Sequence, residues 1–242
     1  MQLQGSVALV TGAKRGMGQT TAKALLAAGA AKVYVADVDE ITQAELAALD
    51  PARAAALHLD IAKHDLVSAA ALRCGDVQIL VNNAGVNRGS SLLRAADLGA
   101  ARAEMEVNFF GTLAMCRAFA PVLKRNGGGA IVNMLSVLAR MPFAALGSYA
   151  ASKAALLSLT YSLRAELAGQ GTRVVGVFPG PVDTRMTPGG EMKPEEVSAA
   201  IVQALKDDAD EVWPGARAAK FRLDIRRDEK AVEREHAKML AR

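Results

Sequence analysis

Continuous apolar, β-branched runs alternate with alanine- and leucine-rich stretches along most of this chain. The spacing predicts strands at Ser6–Thr11, Lys32–Asp37, Ala55–Leu59, Val77–Val81, Ala130–Leu135 and Arg173–Phe178, with a short edge strand at Glu211–Trp213. Helical patterns fill the intervals. They run over Gln19–Ala28 (stopped by Gly29), Thr42–Leu49, His64–Arg73, from about Gly99 to Lys124, then Tyr149–Ala168 and Pro194–Lys206. The strands are apolar throughout rather than on alternate residues. That pattern belongs to strands buried on both faces, as in a parallel sheet covered by helices. Repeated βα units imply right-handed crossovers. The expected fold class is α/β: an open, doubly wound, Rossmann-like parallel sheet in three α/β/α layers. No linker rich in Pro, Gly or Ser interrupts it, so one domain is expected. Residues 1–215 would form its main body, and 216–242 a charged C-terminal helical extension.

Charge separates the same two parts. Of 242 residues, 51% are hydrophobic and 22% charged, which argues against disorder. The net charge is +4. Residues 217–242 hold nine basic and five acidic residues, so the whole excess lies there. A nucleic-acid or membrane binder would more often spread charge over a working face. Phe221, Ile225, Val232 and Met239 instead form a narrow apolar stripe. Asp224–Arg227 and Glu235–Lys238 are opposite charges one turn apart. The tail therefore reads as a helix docked on the body or on a neighbouring subunit, with no nucleic-acid and no membrane partner expected. Cys74 and Cys116 lack metal-ligand spacing, read as buried free thiols, and no metal site is expected. With no signal-peptide pattern and no apolar run of roughly 18 residues, the expected compartment is the cytoplasm.

The first strand runs into Thr11-Gly12-Ala13-Lys14-Arg15-Gly16-Met17-Gly18. Glycines permit a tight turn and close approach of backbone to a pyrophosphate, and the following helix N-terminus offers free N–H groups. Asp37, 19 residues after Gly18, ends the second strand, where a carboxylate can accept hydrogen bonds from ribose hydroxyls. It would repel a 2′-phosphate, whereas Lys14 and Arg15 would attract one. The acid is weighted more heavily, which favours NAD(H) and leaves NADP(H) open. Asp60, followed by Ile61, stands where it could bond an adenine amino group or cap the next segment. Asn82-Asn83-Ala84-Gly85 follows the fourth strand and would let backbone approach the adenosine ribose.

Ser136 ends the fifth strand, and Tyr149 and Lys153 follow as a Tyr-x3-Lys pair on one helix face. A lysine ammonium beside a phenol favours the tyrosinate, which would make Tyr149 usable for proton transfer near neutral pH. Asn108 lies mid-helix, where its propensity is poor. Either a functional role or a local kink accounts for it.

Taken together over about residues 5–207, these motifs resemble the short-chain dehydrogenase/reductase family. The resemblance implies that Tyr149 is the general acid/base, Lys153 holds the nicotinamide ribose, and Ser136 polarises the substrate oxygen. It implies that Asn108 positions a water for proton relay to Lys153. Pro179-Gly180 would face the nicotinamide, and the Val182 backbone and Thr184 hydroxyl would anchor its carboxamide. Relatives that carry Ala at the Asp37 position and Arg at the Val38 position read as NADP-preferring, so Asp37-Val38 supports NAD. The substrate would be a small carbonyl or alcohol, bounded by Val86, Leu138, Met141, Pro142, Phe143 and Met186. A homodimer or homotetramer is also implied. The leading alternative is a dinucleotide-binding regulator or sensor with little turnover.

Overall fold

A computed structural model describes residues 1–238. Among these, seven strands form one all-parallel sheet in the order β3-β2-β1-β4-β5-β6-β7. The strands are β1 Val7–Thr11, β2 Lys32–Asp37, β3 Ala54–His58, β4 Ile79–Asn82, β5 Gly129–Met134, β6 Thr172–Val177 and β7 Glu211–Val212. Consecutive residues face opposite helix layers, which is why the runs are continuously apolar. Val10, Val35 and Val81 pack with Leu25 of helix α1 (Gly16–Ala27) and Ile201 of α7 (Pro194–Lys206). Leu9, Leu80 and Ile131 pack on the other face. There they meet Val67 of α3 (His64–Arg73), Phe119 of α5 (Thr112–Arg125) and Leu163 of α6 (Gly147–Leu167). Burying each such side chain stabilises the fold by roughly 1.5–3 kcal/mol. The expected three-layer, doubly wound sheet is therefore present. Among the described residues, no helix is long and apolar enough to cross a membrane. No group of metal-ligating side chains occurs among them either. Cys74 and Cys116 are buried free thiols, and burial pushes them up to about 11 and about 12.

Element ends differ from expectation by one to three residues at most positions, but one region differs in kind. Helix α2 spans Gln43–Ala47, inside the expected Thr42–Leu49, and starts after Thr42 because Thr42 and Glu45 close a reciprocal capping box there. The long helix expected from Gly99 to Lys124 is in three pieces. A π turn, Glu106–Gly111, separates α4 (Gly99–Met105) from α5. Such turns insert an extra residue into the helical ladder and recur at functional sites. Asn108 lies in this one.

The tail is helical over α8, Gly215–Lys238, with a break at Asp228, whose backbone is extended. The Asp228 carboxylate accepts the Ala231 N–H at 2.9 Å and so caps a second helical segment. The chain folds back there. His236 stacks on Phe221 with ring centroids 5.7 Å apart, whereas a straight helix would separate them by roughly 22 Å. Of the expected apolar stripe, Ile225 is buried, Phe221 and Val232 are half-buried, and Met239 lies outside the described residues. Glu235–Lys238 pair at 3.5 Å. Asp224 pairs with Lys220 rather than with Arg227, one turn earlier on the same segment.

Candidate active site

Strand order reverses between β1 and β4, and the connections leaving these two strands diverge to opposite faces. A crevice at the carboxyl ends follows from that topology. Here it is a cleft of about 590 Å³. The glycine turn forms its floor. Gly12 and Gly16 have φ of +62° and +57°, a region unfavourable for other residues. A Cβ on Gly12 would lie 2.9 Å from Ala84 Cα. A Cβ on Gly18 would lie 2.6 Å from Asn83 Nδ2 and 2.8 Å from Ala13 Cα. Asn83 Nδ2 donates to Thr11 O and Gly12 O at 2.9 and 3.0 Å, which locks the β1 and β4 turns together. Helix α1 begins here with no side-chain cap and no acid in its first turn, leaving its amides for an anion. These residues fit a dinucleotide pyrophosphate. Gly18→Ala is expected to cost about 1–3 kcal/mol of stability and to weaken dinucleotide affinity at least tenfold, read by thermal unfolding and fluorescence titration.

Gly12, Arg15, Gly16, Met17, Asp37 and Val38 line the cleft, as do Asp60, Ile61, Asn83, Ala84, Gly85 and Thr184. Gly18 lies beneath the turn instead, and Lys14, Pro179, Gly180 and Val182 are outside the lining. Lys14 is turned away: its ammonium is 3.6 Å from Glu45 Oε1. Arg15 pairs with Asp39, a lining residue that sequence reasoning passed over. Asp37 accepts the Lys14 N–H at 3.0 Å and the Asp39 N–H at 3.1 Å, which fixes its carboxylate at the cleft wall. One Asp60 oxygen accepts the Ala62 N–H at 2.9 Å, so this residue also caps its own turn. Thr184 packs over the glycine turn, 3.5 Å from where a Gly16 Cβ would stand. Val182 is buried beside Met192, its neighbour in a short backbone bridge.

Ser136, Tyr149, Lys153 and Asn108 are also outside the cleft lining, and Asn108 and Lys153 stand beside Gly85, which belongs to it. Ser136 lies two residues past β5 and caps a single 3-10 turn, Val137–Ala139, accepting the Leu138 N–H at 3.2 Å. Tyr149 and Lys153 stand one turn apart on α6, with the Lys153 Nζ 5.7 Å from the Tyr149 ring centroid. The ammonium is buried and donates to Met134 O at 2.7 Å. Asn108 is also buried: its Oδ1 accepts the Val86 N–H at 2.8 Å. Its Nδ2 donates to Val86 O and Ser152 Oγ, both at 2.9 Å. A Cβ on Gly85 would lie 2.9 Å from Asn108 Oδ1 and 3.5 Å from Lys153 Nζ. Gly85, Asn108 and Lys153 therefore converge at the cleft.

A family model described as short chain dehydrogenase matches residues 6–194. This chain is a short-chain dehydrogenase/reductase. It is 36% identical over 226 residues to a cis-4-hydroxycyclohexanecarboxylate dehydrogenase from Sinomonas cyclohexanicum, covering 84% of this chain and 90% of the relative. It is 45% identical to a short chain dehydrogenase from Burkholderia cenocepacia J2315 solved in complex with NADP. The two superpose with a TM-score of 0.90 over 98% of this chain and 99% of the other. A Burkholderia phymatum short chain dehydrogenase/reductase in complex with NAD is 25% identical. It superposes with a TM-score of 0.81, covering 93% of this chain and 96% of that one. The chain is accordingly an NAD(P)-dependent oxidoreductase of this family, acting on a small-molecule substrate.

Electrostatics in this short-chain dehydrogenase/reductase depart from the sequence expectation at one point. Burial pushes the Tyr149 phenol up to about 12. The nearby Ser136 hydroxyl opposes that rise and the Glu104 charge adds to it. Lys153 does not lower it here. Burial holds the ammonium itself down at about 8, and its proton is directed at Met134 O rather than at the phenol. Desolvation of both groups thus outweighs the attraction expected between them. Glu104 and Ser152 also escaped sequence reasoning. An acid inside a helix ordinarily faces water, and nothing in the local pattern marks Glu104 as buried.

Proposed function

We propose that this protein transfers a hydride between a nicotinamide dinucleotide and a ketone or secondary alcohol, with Tyr149 as general acid/base. The observation that carries this reading is the grouping of Ser136, Tyr149 and Lys153 beside the glycine-floored cleft. A bound nicotinamide dinucleotide would supply or accept the hydride. Ser136 holds the substrate oxygen and, with the phenol, stabilises the charge that develops there. Tyr149 gives its proton to that oxygen in reduction and removes it in oxidation. Lys153, whose ammonium donates to Met134 O, would hold a ribose hydroxyl of the bound dinucleotide. The Asn108 side chain is fully engaged with Val86 and Ser152, so its part is to fix the cleft loop beside Lys153. Its backbone, in the π turn, is the group left to hold a relay water. With a dinucleotide bound, Pro179 and Gly180 would bound the nicotinamide side, and the Val182 backbone and Thr184 hydroxyl would hold the carboxamide. The test is dinucleotide absorbance change with a panel of ketones and secondary alcohols.

NAD(H) is the favoured cofactor. The Asp37 carboxylate is pinned where a ribose 2′-hydroxyl would be read, and Lys14 and Arg15 are each paired with an acid. NADP(H) is the second reading. The Arg15–Asp39 pair is exposed, and such pairs contribute less than about 1 kcal/mol, so Arg15 can be redirected to a phosphate. The NADP complex of the Burkholderia cenocepacia relative favours it too. Wild-type kcat/KM is expected to be higher with NAD than with NADP. Asp37→Ala combined with Val38→Arg should raise the NADP/NAD ratio by about 30-fold or more, since removing a repulsion and adding a charge-assisted bond each contribute over about 1 kcal/mol. An unchanged ratio would assign cofactor choice elsewhere. The assembly expected for this reading is a homodimer or homotetramer, read by light scattering or native mass.

A further inference from the structure

The charges that line the cleft are sorted by sign. Asp37, Asp39 and Asp60 follow β2 and β3, on one side of β1. Arg88 follows β4 and Arg185 follows β6, on the other side. Arg15, in the turn after β1, is spent on Asp39. The half of the cleft away from Asp37 thus carries two arginines and no lining acid. Among the described residues, neither the Arg88 nor the Arg185 guanidinium makes an ion pair, and the acids that touch their segments are turned elsewhere. Glu104 accepts the Arg88 N–H at 2.7 Å, Asp183 accepts the Gly189 N–H at 2.9 Å, and neither acid lines the cleft.

Both side chains are exposed, but each springs from backbone that is held in place. Buried Glu104 fixes Arg88, and buried Asn108 bonds both backbone groups of Val86. Two residues beyond Arg88, Ser90 O accepts the Ser148 N–H at 3.4 Å and the Ser148 hydroxyl at 3.2 Å. Ser148 directly precedes Tyr149 on α6. The segment bearing Arg88 therefore runs from Gly85, beside Lys153, to the neighbour of Tyr149. Arg185 and Met186 form the tip of a tight turn closed by a bridge between Thr184 and Thr187, with the Thr187 N–H donating to Thr184 O at 3.1 Å. Unpaired guanidiniums at the mouth of a cleft with low-dielectric walls draw in anions, and their planar forks match the oxygens of a carboxylate or phosphate.

We propose that Arg88 and Arg185 are specificity-determining residues that bind an anionic oxygen group on the substrate, so that the preferred ketone or secondary alcohol also bears a carboxylate or a phosphate. This rests on the hydride-transfer reading. The test uses matched pairs: levulinate and benzoylformate, each against its methyl ester, and dihydroxyacetone phosphate against dihydroxyacetone. Each pair is read twice, as kcat/KM and as Kd for the dinucleotide-loaded protein. The carboxylate and phosphate arms show which anion is taken. In at least one pair the anion is expected to be preferred by about tenfold or more. Arg88→Gln and Arg185→Gln should each lower that preference about tenfold, and 0.5 M salt should weaken it in the wild type. No preference for the anion in any pair by either readout would overturn the proposal, as would a preference that both variants retain. Equal losses for both members of a pair, together with weaker dinucleotide binding, would assign the arginines to the dinucleotide pyrophosphate and also overturn it. The two readings fail separately. Neutral ketones turned over as well as anionic ones would leave hydride transfer standing, whereas anion-selective binding without turnover would remove hydride transfer and leave the anion site.

Discussion

Tyr149→Phe is expected to fold, to bind dinucleotide with wild-type affinity, and to lose about 10²–10⁴-fold in kcat. The substitution removes one hydroxyl from a half-buried ring and leaves the ring packing in place. The lost hydroxyl is the proton donor in reduction, and no neighbouring group replaces it. Ser136 is a weaker acid whose hydroxyl already accepts the Leu138 N–H, and the Lys153 proton faces Met134 O. The loss should fall on kcat far more than on the KM for cofactor, because the glycine floor and the Asp37 wall are remote from the phenol. A loss confined to KM would mean that Tyr149 only shapes the substrate site.

Lys153→Met should combine a comparable loss of activity with a more stable protein. Burial holds the ammonium at about 8, below its ordinary value of 10.5. A cation with a lowered folded-state value binds its proton more weakly folded than unfolded. Its contribution is therefore most favourable above pH 10.5 and is lost as pH falls toward 8. At pH 7 the charged, buried lysine costs the fold about 3 kcal/mol. Methionine of similar length removes that cost but leaves Met134 O without its donor, which takes back roughly 1 kcal/mol. A net gain of about 1–3 kcal/mol at pH 7, shrinking as pH rises, is expected in denaturant unfolding. A variant destabilised at pH 7 would show that the Met134 bond outweighs desolvation. The same value gives the reaction a pH limit. Carbonyl reduction should decline above about pH 8, as Lys153 loses the charge that holds the ribose.

The sheet was legible in the sequence because burial on both faces leaves a one-dimensional mark: Leu9 and Val10 are adjacent yet serve opposite helix layers. The glycine floor was legible for a similar reason. Left-handed backbone at Gly12 and Gly16 and the tight approach at Gly18 each select glycine directly. The π turn was not, because it differs from an α-helix by one inserted residue and no side chain encodes that insertion locally; Asn108 alone hinted at it. The fold-back at Asp228 was hidden for a different reason. An aspartate in a charged helix resembles a surface residue, and only its bond to Ala231 N–H shows it acting as a cap. The electrostatics of the site were least legible. Tyr149 and Lys153 are neighbours in spacing, but the degree of desolvation and the pull of Met134 O depend on elements distant in the chain. Glu104 belongs to the same class: its burial is created by the loop at 85–90 and by α6, not by its own helix.

The measurement that bears most directly on the proposed chemistry is dinucleotide absorbance followed with a panel of ketones and secondary alcohols, for the wild type and Tyr149→Phe side by side. Many turnovers per site in the wild type, with loss of turnover but not of dinucleotide binding in Tyr149→Phe, is the expected result. Dinucleotide binding without turnover across the whole panel would contradict it, as would Tyr149→Phe rates within a few-fold of the wild type.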